Sequence, residues 1–197
     1  MGQYYAIAMK DSNGDIEVNH RKLKGHDYIM AKLLEHSWMK NDLLCTVCAK
    51  LEQFEPCRIA WVGDYANEKN EDGEEELFEI THGDISYADV WGEHQTHEVV
   101  WDAEPFDPKG KYLINHTKKV YLSFDKYIEK NEKDGWCLHP LSLLTAVGNG
   151  RGGGDYYEEL PDYDQVGTWA WDEIEIHTEV PHGFNEVEFN FKDKEEK

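Results

Sequence analysis

The sequence predicts an α+β fold, a single domain over residues 1 to 191 in which a mixed or antiparallel sheet carries helices from residues 28 to 55 packed on one face. Three observations predict it. Asn13-Gly14 and the stretch Asn115-His116-Thr117-Lys118 each interrupt a pair of short apolar-alternating runs, as hairpin turns do. After Tyr28 the apolar spacing changes to that of a helix. A continuous apolar run, Ile59-Ala60-Trp61-Val62, lies between Pro56 and Gly63 and reads as a buried strand.

The first strand alternates over residues 4 to 9, turns at Ser12-Asn13-Gly14-Asp15 and resumes over 16 to 18. Asp11, Asn13, Asp15 and Glu17 also suggest a calcium loop, but the glycine stands fourth where the helix-loop-helix pattern requires it sixth, so the hairpin turn is the better reading. Ile29, Leu33 and Leu34 start the helical period, and Leu43, Leu44, Val47, Leu51 and Phe54 continue it in a second segment capped by Asn41 or Asp42. Residues 67 to 76 are almost wholly polar and read as a solvated loop. Residues 111 to 114 and 120 to 122 form the second hairpin, with a short helical turn from Asp125. Residues 168 to 176 and 187 to 191 close the sheet, and 192 to 197 form a frayed charged tail.

The chain of 197 residues has no run of 18 apolar residues and no basic, apolar leader, which predicts a soluble cytoplasmic protein without membrane contact. Its net charge is −21, and the imbalance begins after residue 60. Fifteen acids face Lys69 and Lys109 between Trp61 and Gly110, and eight acids face no base between Asp155 and Glu175. Such a field repels nucleic acid and anionic lipid and attracts basic surfaces. Direct nucleic-acid binding is therefore not expected. The acids serve either as a solubilising surface or as a face for a basic partner.

Between residues 148 and 157 an apolar run gives way to Gly148-Asn149-Gly150-Arg151-Gly152-Gly153-Gly154-Asp155-Tyr156-Tyr157. Glycine at this density suits left-handed backbone or a ligand that approaches the main chain closely. Exposed amides beside the Arg151 guanidinium form an anion grip, and Tyr156 or Tyr157 offers a ring for stacking. No Gly-Lys-Ser or Gly-Lys-Thr follows, so the loop is not a Walker A sequence. Asp64, at the end of the apolar strand, stands where working carboxylates are often placed, although capping a turn is an equal use for it.

Metal chemistry has weaker support. Cys45 and Cys48 share one helical turn, and with Cys57, Cys137 and His139 they have the ligand types for zinc. Cys48 nevertheless follows Leu44 on the apolar face, so core thiols without disulfides are expected. His82, Asp84, His94 and His97 match no metal motif. No resident metal or cofactor is expected.

Met1-Gly2-Gln3-Tyr4-Tyr5, Lys32-Leu33-Leu34-Glu35-His36-Ser37-Trp38, Trp61-Val62-Gly63-Asp64-Tyr65-Ala66, Asn115-His116-Thr117-Lys118-Lys119 and Asn149-Gly150-Arg151-Gly152-Gly153-Gly154-Asp155-Tyr156 together resemble a family of small uncharacterised proteins of bacteria and their phages, over residues 1 to about 171. The resemblance implies a phage or mobile-element accessory protein, with counter-defence among its roles, and implies no activity or cofactor. The expected function is non-enzymatic binding of a phosphorylated, nucleotide-like small molecule by Asn149, Gly150, Arg151, Gly152, Gly153, Gly154, Asp155 and Tyr156, with Asp64 and His116. The alternatives are an acidic inhibitor of a basic, nucleic-acid-binding protein and a metal-dependent hydrolase that uses Asp64, His82, Asp84, His116, Arg151 and Asp155.

Overall fold

The computed structural model describes residues 4–10, 16–18, 21–23, 32–34, 37–53, 55–63, 99–148, 156 and 158–192. The turn at 11–15, the acidic segment with Asp64, His82, Asp84, His94 and His97, the glycine-rich residues 149–155, Tyr157 and the tail 193–197 lie outside them.

The α+β class with a mixed sheet is what the chain forms. Strand β1 (Tyr5–Lys10) pairs antiparallel with β2 (Ile16–Val18), as the Asn-Gly signal predicts, and on its other edge with β4 (Cys57–Gly63). A short parallel pair joins β3 (Arg21–Leu23) to β5 (Val99–Trp101) in a separate small sheet. The second expected hairpin is β6 (Tyr112–Asn115) with β7 (Val120–Ser123). β8 (Ala146–Val147), β9 (Glu173–His177) and β10 (Asn185–Glu186) complete the larger sheet, in the order β10-β7-β6-β9-β4-β1-β2 with β8 beside β4.

Period-two alternation divides β1 and β4 between two faces. Tyr5, Ile7, Met9, Ile59 and Trp61 enter the main core, which they share with Leu44, Val47, Cys48 and Leu51 of helix α1 (Asp42–Gln53), a helix that packs against β9. Each such side chain contributes about 1.5–3 kcal/mol on leaving water. On the other face the side chains are small. Ala8, Ala60 and Val62 are fully buried there, with Val147 and Trp171 packed against them.

Asn41 caps α1, its Oδ1 accepting from the backbone N–H of Leu43 at 2.9 Å and of Leu44 at 3.4 Å. The helical spacing ahead of it does not become helix among the described residues: Leu33 and Leu34 lie in a turn and Trp38 forms an antiparallel bridge with Leu138. Tertiary pairing overrides the local signal, because Met39 N donates to Cys137 O at 2.9 Å and His139 N donates to Ser37 O at 2.7 Å. The turn expected from Asp125 is helix α2 (Phe124–Asn131), capped by Ser123.

Of the two expected closing strands, the one over 168 to 176 is shortened to β9, and residues 187 to 191 form no strand. Residues 167–172 form turns before β9. Phe189 and Phe191 reach the core from irregular backbone, where the Asn131 side chain stands in for a strand by donating to Phe189 O at 3.0 Å and accepting from Phe191 N at 2.7 Å. Among the described residues no helix is long and apolar enough to cross a membrane.

Candidate functional site

The parallel pairing of β4 with β8 organises the site. Trp61 lies opposite Ala146 and Val62 opposite Val147, so the chain leaves the sheet at Gly63 and at Gly148 side by side and in the same direction. Asp64 follows the first exit and the glycine-rich stretch follows the second. The carboxyl ends of parallel strands are where sheet proteins commonly hold ligands, because both connections turn outward there. Gly148 makes its turn with φ 86°, a conformation open to glycine at little cost.

β1 begins at the same edge, with Tyr5 opposite Gly63. Tyr4, just before it, is 42% exposed and has the Lys32 ammonium 5.5 Å from its ring centre. Parts of four separated motifs of the sequence therefore share one end of the sheet: the N-terminal tyrosines, Lys32, the end of β4 and the start of the glycine-rich stretch.

Trp171 is the residue that sequence reasoning missed. It packs half-buried on Val62 and Val147 with φ 62°, a left-handed conformation that a bulky side chain rarely adopts. The flanking backbone is tightly held. Trp171 N donates to Ile59 O at 2.8 Å, Asp172 N to Trp169 O at 3.1 Å and Glu173 N to Thr117 Oγ1 at 2.9 Å. The Asp172 carboxylate accepts from Asn115 Nδ2 and from Lys118 Nζ, each at 2.7 Å. The Asn-His-Thr-Lys turn thus acts as a clamp on the segment that carries Trp171.

Two expected site residues go elsewhere. His116 N donates to Glu173 O, and Glu173 pairs with Arg58 near the beginning of β4, so His116 lies away from the end where β4 and β8 leave the sheet. Its Nε2 lies 2.8 Å from Glu175 Oε1, within ion-pair reach but off the line of a hydrogen bond, and its ring meets Phe184 edge-on. Tyr156 points inward instead of offering a stacking surface. It is fully buried, edge-on to Phe191, with its hydroxyl donating to Pro161 O, and so anchors the far end of the glycine-rich stretch in the core. Position beside a glycine run reads as exposure, and no local signal distinguishes this tyrosine.

All four cysteines are free thiols. Cys48 Sγ lies 3.2 Å from His139 Nε2, a thiol–imidazole pair that resembles a catalytic dyad until its hydrogen bonds are followed. His139 Nδ1 accepts from Leu141 N at 3.1 Å, so the single proton of a neutral ring is on Nε2 and points at sulfur. Burial holds the imidazole neutral, lowering its pKa to about 3, and the same burial pushes the Cys48 thiol well up. Neither activates the other. His139 instead caps helix α3 (Pro140–Leu144), which leads into β8. Burial also raises Cys45, and raises Cys137 to about 12, so neither is a ready nucleophile. Among the described residues no three His, Cys, Asp or Glu side chains cluster as a metal ion would require.

Comparison with protein-family models, with curated proteins and with solved structures finds no match.

Proposed function

We propose that the chain is a non-enzymatic binding protein that holds a phosphorylated, nucleotide-like small molecule where β4 and β8 leave the sheet. The observation that carries this reading is the parallel register of Trp61 with Ala146 and Val62 with Val147, which brings the exits toward Asp64 and toward the glycine-rich stretch to one edge. In this reading Asn149, Arg151 and the amides of Gly150, Gly152, Gly153 and Gly154 grip the phosphate. Asp64 accepts from a sugar hydroxyl, and Trp171 with Tyr4 provides the aromatic surface for a base. The charge of −21 opposes an anion at long range, but screening over about 8 Å leaves local donors decisive in a recessed site. On its motif set we also propose an accessory role for a phage or mobile element, with counter-defence as one form.

Native mass spectrometry of protein purified from cells tests the reading. A retained mass of a phosphorylated small molecule is expected, together with its loss in Arg151→Ala at a nearly unchanged melting temperature. A ligand-free mass for the unsubstituted protein counts against it. So does an Arg151→Ala protein that keeps the ligand and melts several degrees lower, the result expected of a guanidinium that clamps a carboxylate such as Asp155.

A further inference from the structure

A cavity of about 350 Å³ opens beside the tight turn that follows α2. Leu34, Leu138, Tyr156, Leu160 and Phe191 line it, each belonging to the main core or packed against it. The polar groups of its interior are already committed. The Tyr156 hydroxyl donates to Pro161 O. Asn131, which also lines the cavity, donates from Nδ2 to Tyr127 O at 2.9 Å and to Phe189 O at 3.0 Å, and its Oδ1 accepts from Phe191 N at 2.7 Å. The interior therefore offers apolar surface and no spare amide proton. Its volume stands at the lower end of the about 300–1,000 Å³ that small-molecule sites occupy, which suits a compact ring system better than a long acyl chain.

The remaining lining residues are Lys133, Asp134, Trp136 and Lys192. Lys133 N donates to Trp136 O and Trp136 N to Lys133 O, both at 2.8 Å, around Asp134 at φ 53° and Gly135 at φ 80°. Two left-handed central residues make the type I′ turn that Asp-Gly favours. The turn holds Trp136 with 47% of its surface exposed and its ring 5.0 Å from that of Trp38, so the indole can cover a bound ring at little cost in freedom. Lys50, Lys111, Lys118, Lys126 and Lys130 each pair with a carboxylate. Lys133 and Lys192 pair with none among the described residues. Two ammonium groups against the one carboxylate of Asp134 give the mouth an excess of positive charge in a chain of net charge −21.

We infer that this cavity is a small-molecule site for an aromatic carboxylate. The ring enters between Trp136, Leu160 and the core, and the carboxylate meets the ammonium groups of Lys133 and Lys192. The cavity shares no residue with the phosphate site proposed where β4 and β8 leave the sheet, so it stands independently of that reading.

The test is calorimetric titration of the full chain with 2-naphthoate near physiological salt. Saturable binding is expected, about tenfold or more weaker for the neutral 2-naphthamide, since the amide has the same ring and no charge. Lys133→Gln and Lys192→Gln should each weaken 2-naphthoate severalfold, whereas Lys109→Gln, exposed and outside the cavity, should leave it unchanged. Asp134→Asn should tighten it severalfold, because Asn-Gly suits the same turn and the opposing carboxylate is gone. Leu160→Trp, which fills the cavity, should abolish binding. Equal affinity for the acid and its amide overturns the inference, as does retained binding in Leu160→Trp or no binding of 2-naphthoate at all. Weaker binding in Asp134→Asn overturns it in favour of a ligand that carries an ammonium group. A loss in Lys109→Gln equal to that in Lys133→Gln also overturns it, because the attraction is then diffuse.

Discussion

Gly167→Ala is expected to destabilise the protein by about 2–4 kcal/mol, lowering its melting temperature by roughly 5–15 °C for a chain of this size. Gly167 has φ +79°, and a Cβ added there would lie 2.4 Å from the carbonyl oxygen of Ala146. Left-handed backbone alone costs alanine about 1–2 kcal/mol. The clash adds to that, because the obstacle is main chain and cannot rotate away. Gly167 N also donates to Leu143 O at 2.9 Å and Trp169 N to Leu144 O at 2.7 Å, so this segment is strapped to the helix that leads into β8. Displacing Ala146 disturbs its pairing with Trp61, and with it the alignment of the two exits from the sheet. Gly183→Ala is the control. Its φ is +87°, yet nothing lies within 4 Å of an added Cβ, so it should lose the backbone term alone. Thermal melts of both variants check the prediction; equal losses would mean that Gly167 does not hold β8 in place.

Acid should unfold the protein through His139. The unfolded imidazole takes up a proton near pH 6.5, whereas in the folded protein burial lowers the pKa to about 3. Protonation would place a second N–H on Nδ1, facing the donor N–H of Leu141, inside an apolar setting. The unfolded state therefore binds more protons between these values. The His139 contribution is complete above pH 6.5 and declines as pH falls toward 3, at about 1.4 kcal/mol per pH unit, or on the order of 2 kcal/mol by pH 5. Denaturant titrations at pH 7 and pH 5 measure this loss. His139→Asn retains a capping side chain and removes the titration, so its stability should change much less over the same interval, although the variant begins less stable. Parallel pH dependence in the two proteins would place the acid sensitivity in the carboxylates instead.

Local chemistry was legible in the sequence and long-range pairing was not. Both hairpins, the Asn41 cap and the buried strand Cys57–Gly63 follow from residues within a few positions of one another. The helical reading of Leu33 and Leu34 did not hold among the described residues, because Trp38 is bridged to Leu138, far along the chain. The same limit applied to the site. Asp64 and the glycine-rich stretch drew attention by residue type, but that the strands preceding them end side by side depends on β8, a strand of only Ala146–Val147 whose pattern is too short to read. Trp171 escaped notice because nothing local marks a tryptophan for left-handed backbone. Its neighbours Asn115 and Lys118 act on Asp172 across the fold.

Nitrogen–proton correlation spectra recorded during titration with a panel of nucleoside mono-, di- and triphosphates test the central claim most directly. The predicted result is saturable shifts concentrated in residues 63–66 and 148–155 and at the Trp171 indole, with the amides of Asn185 and Glu186 in β10, at the opposite edge of the sheet, unmoved. Shifts centred on β10 and β7, or spectra unchanged by every member of the panel, would contradict a phosphate-binding site where β4 and β8 leave the sheet.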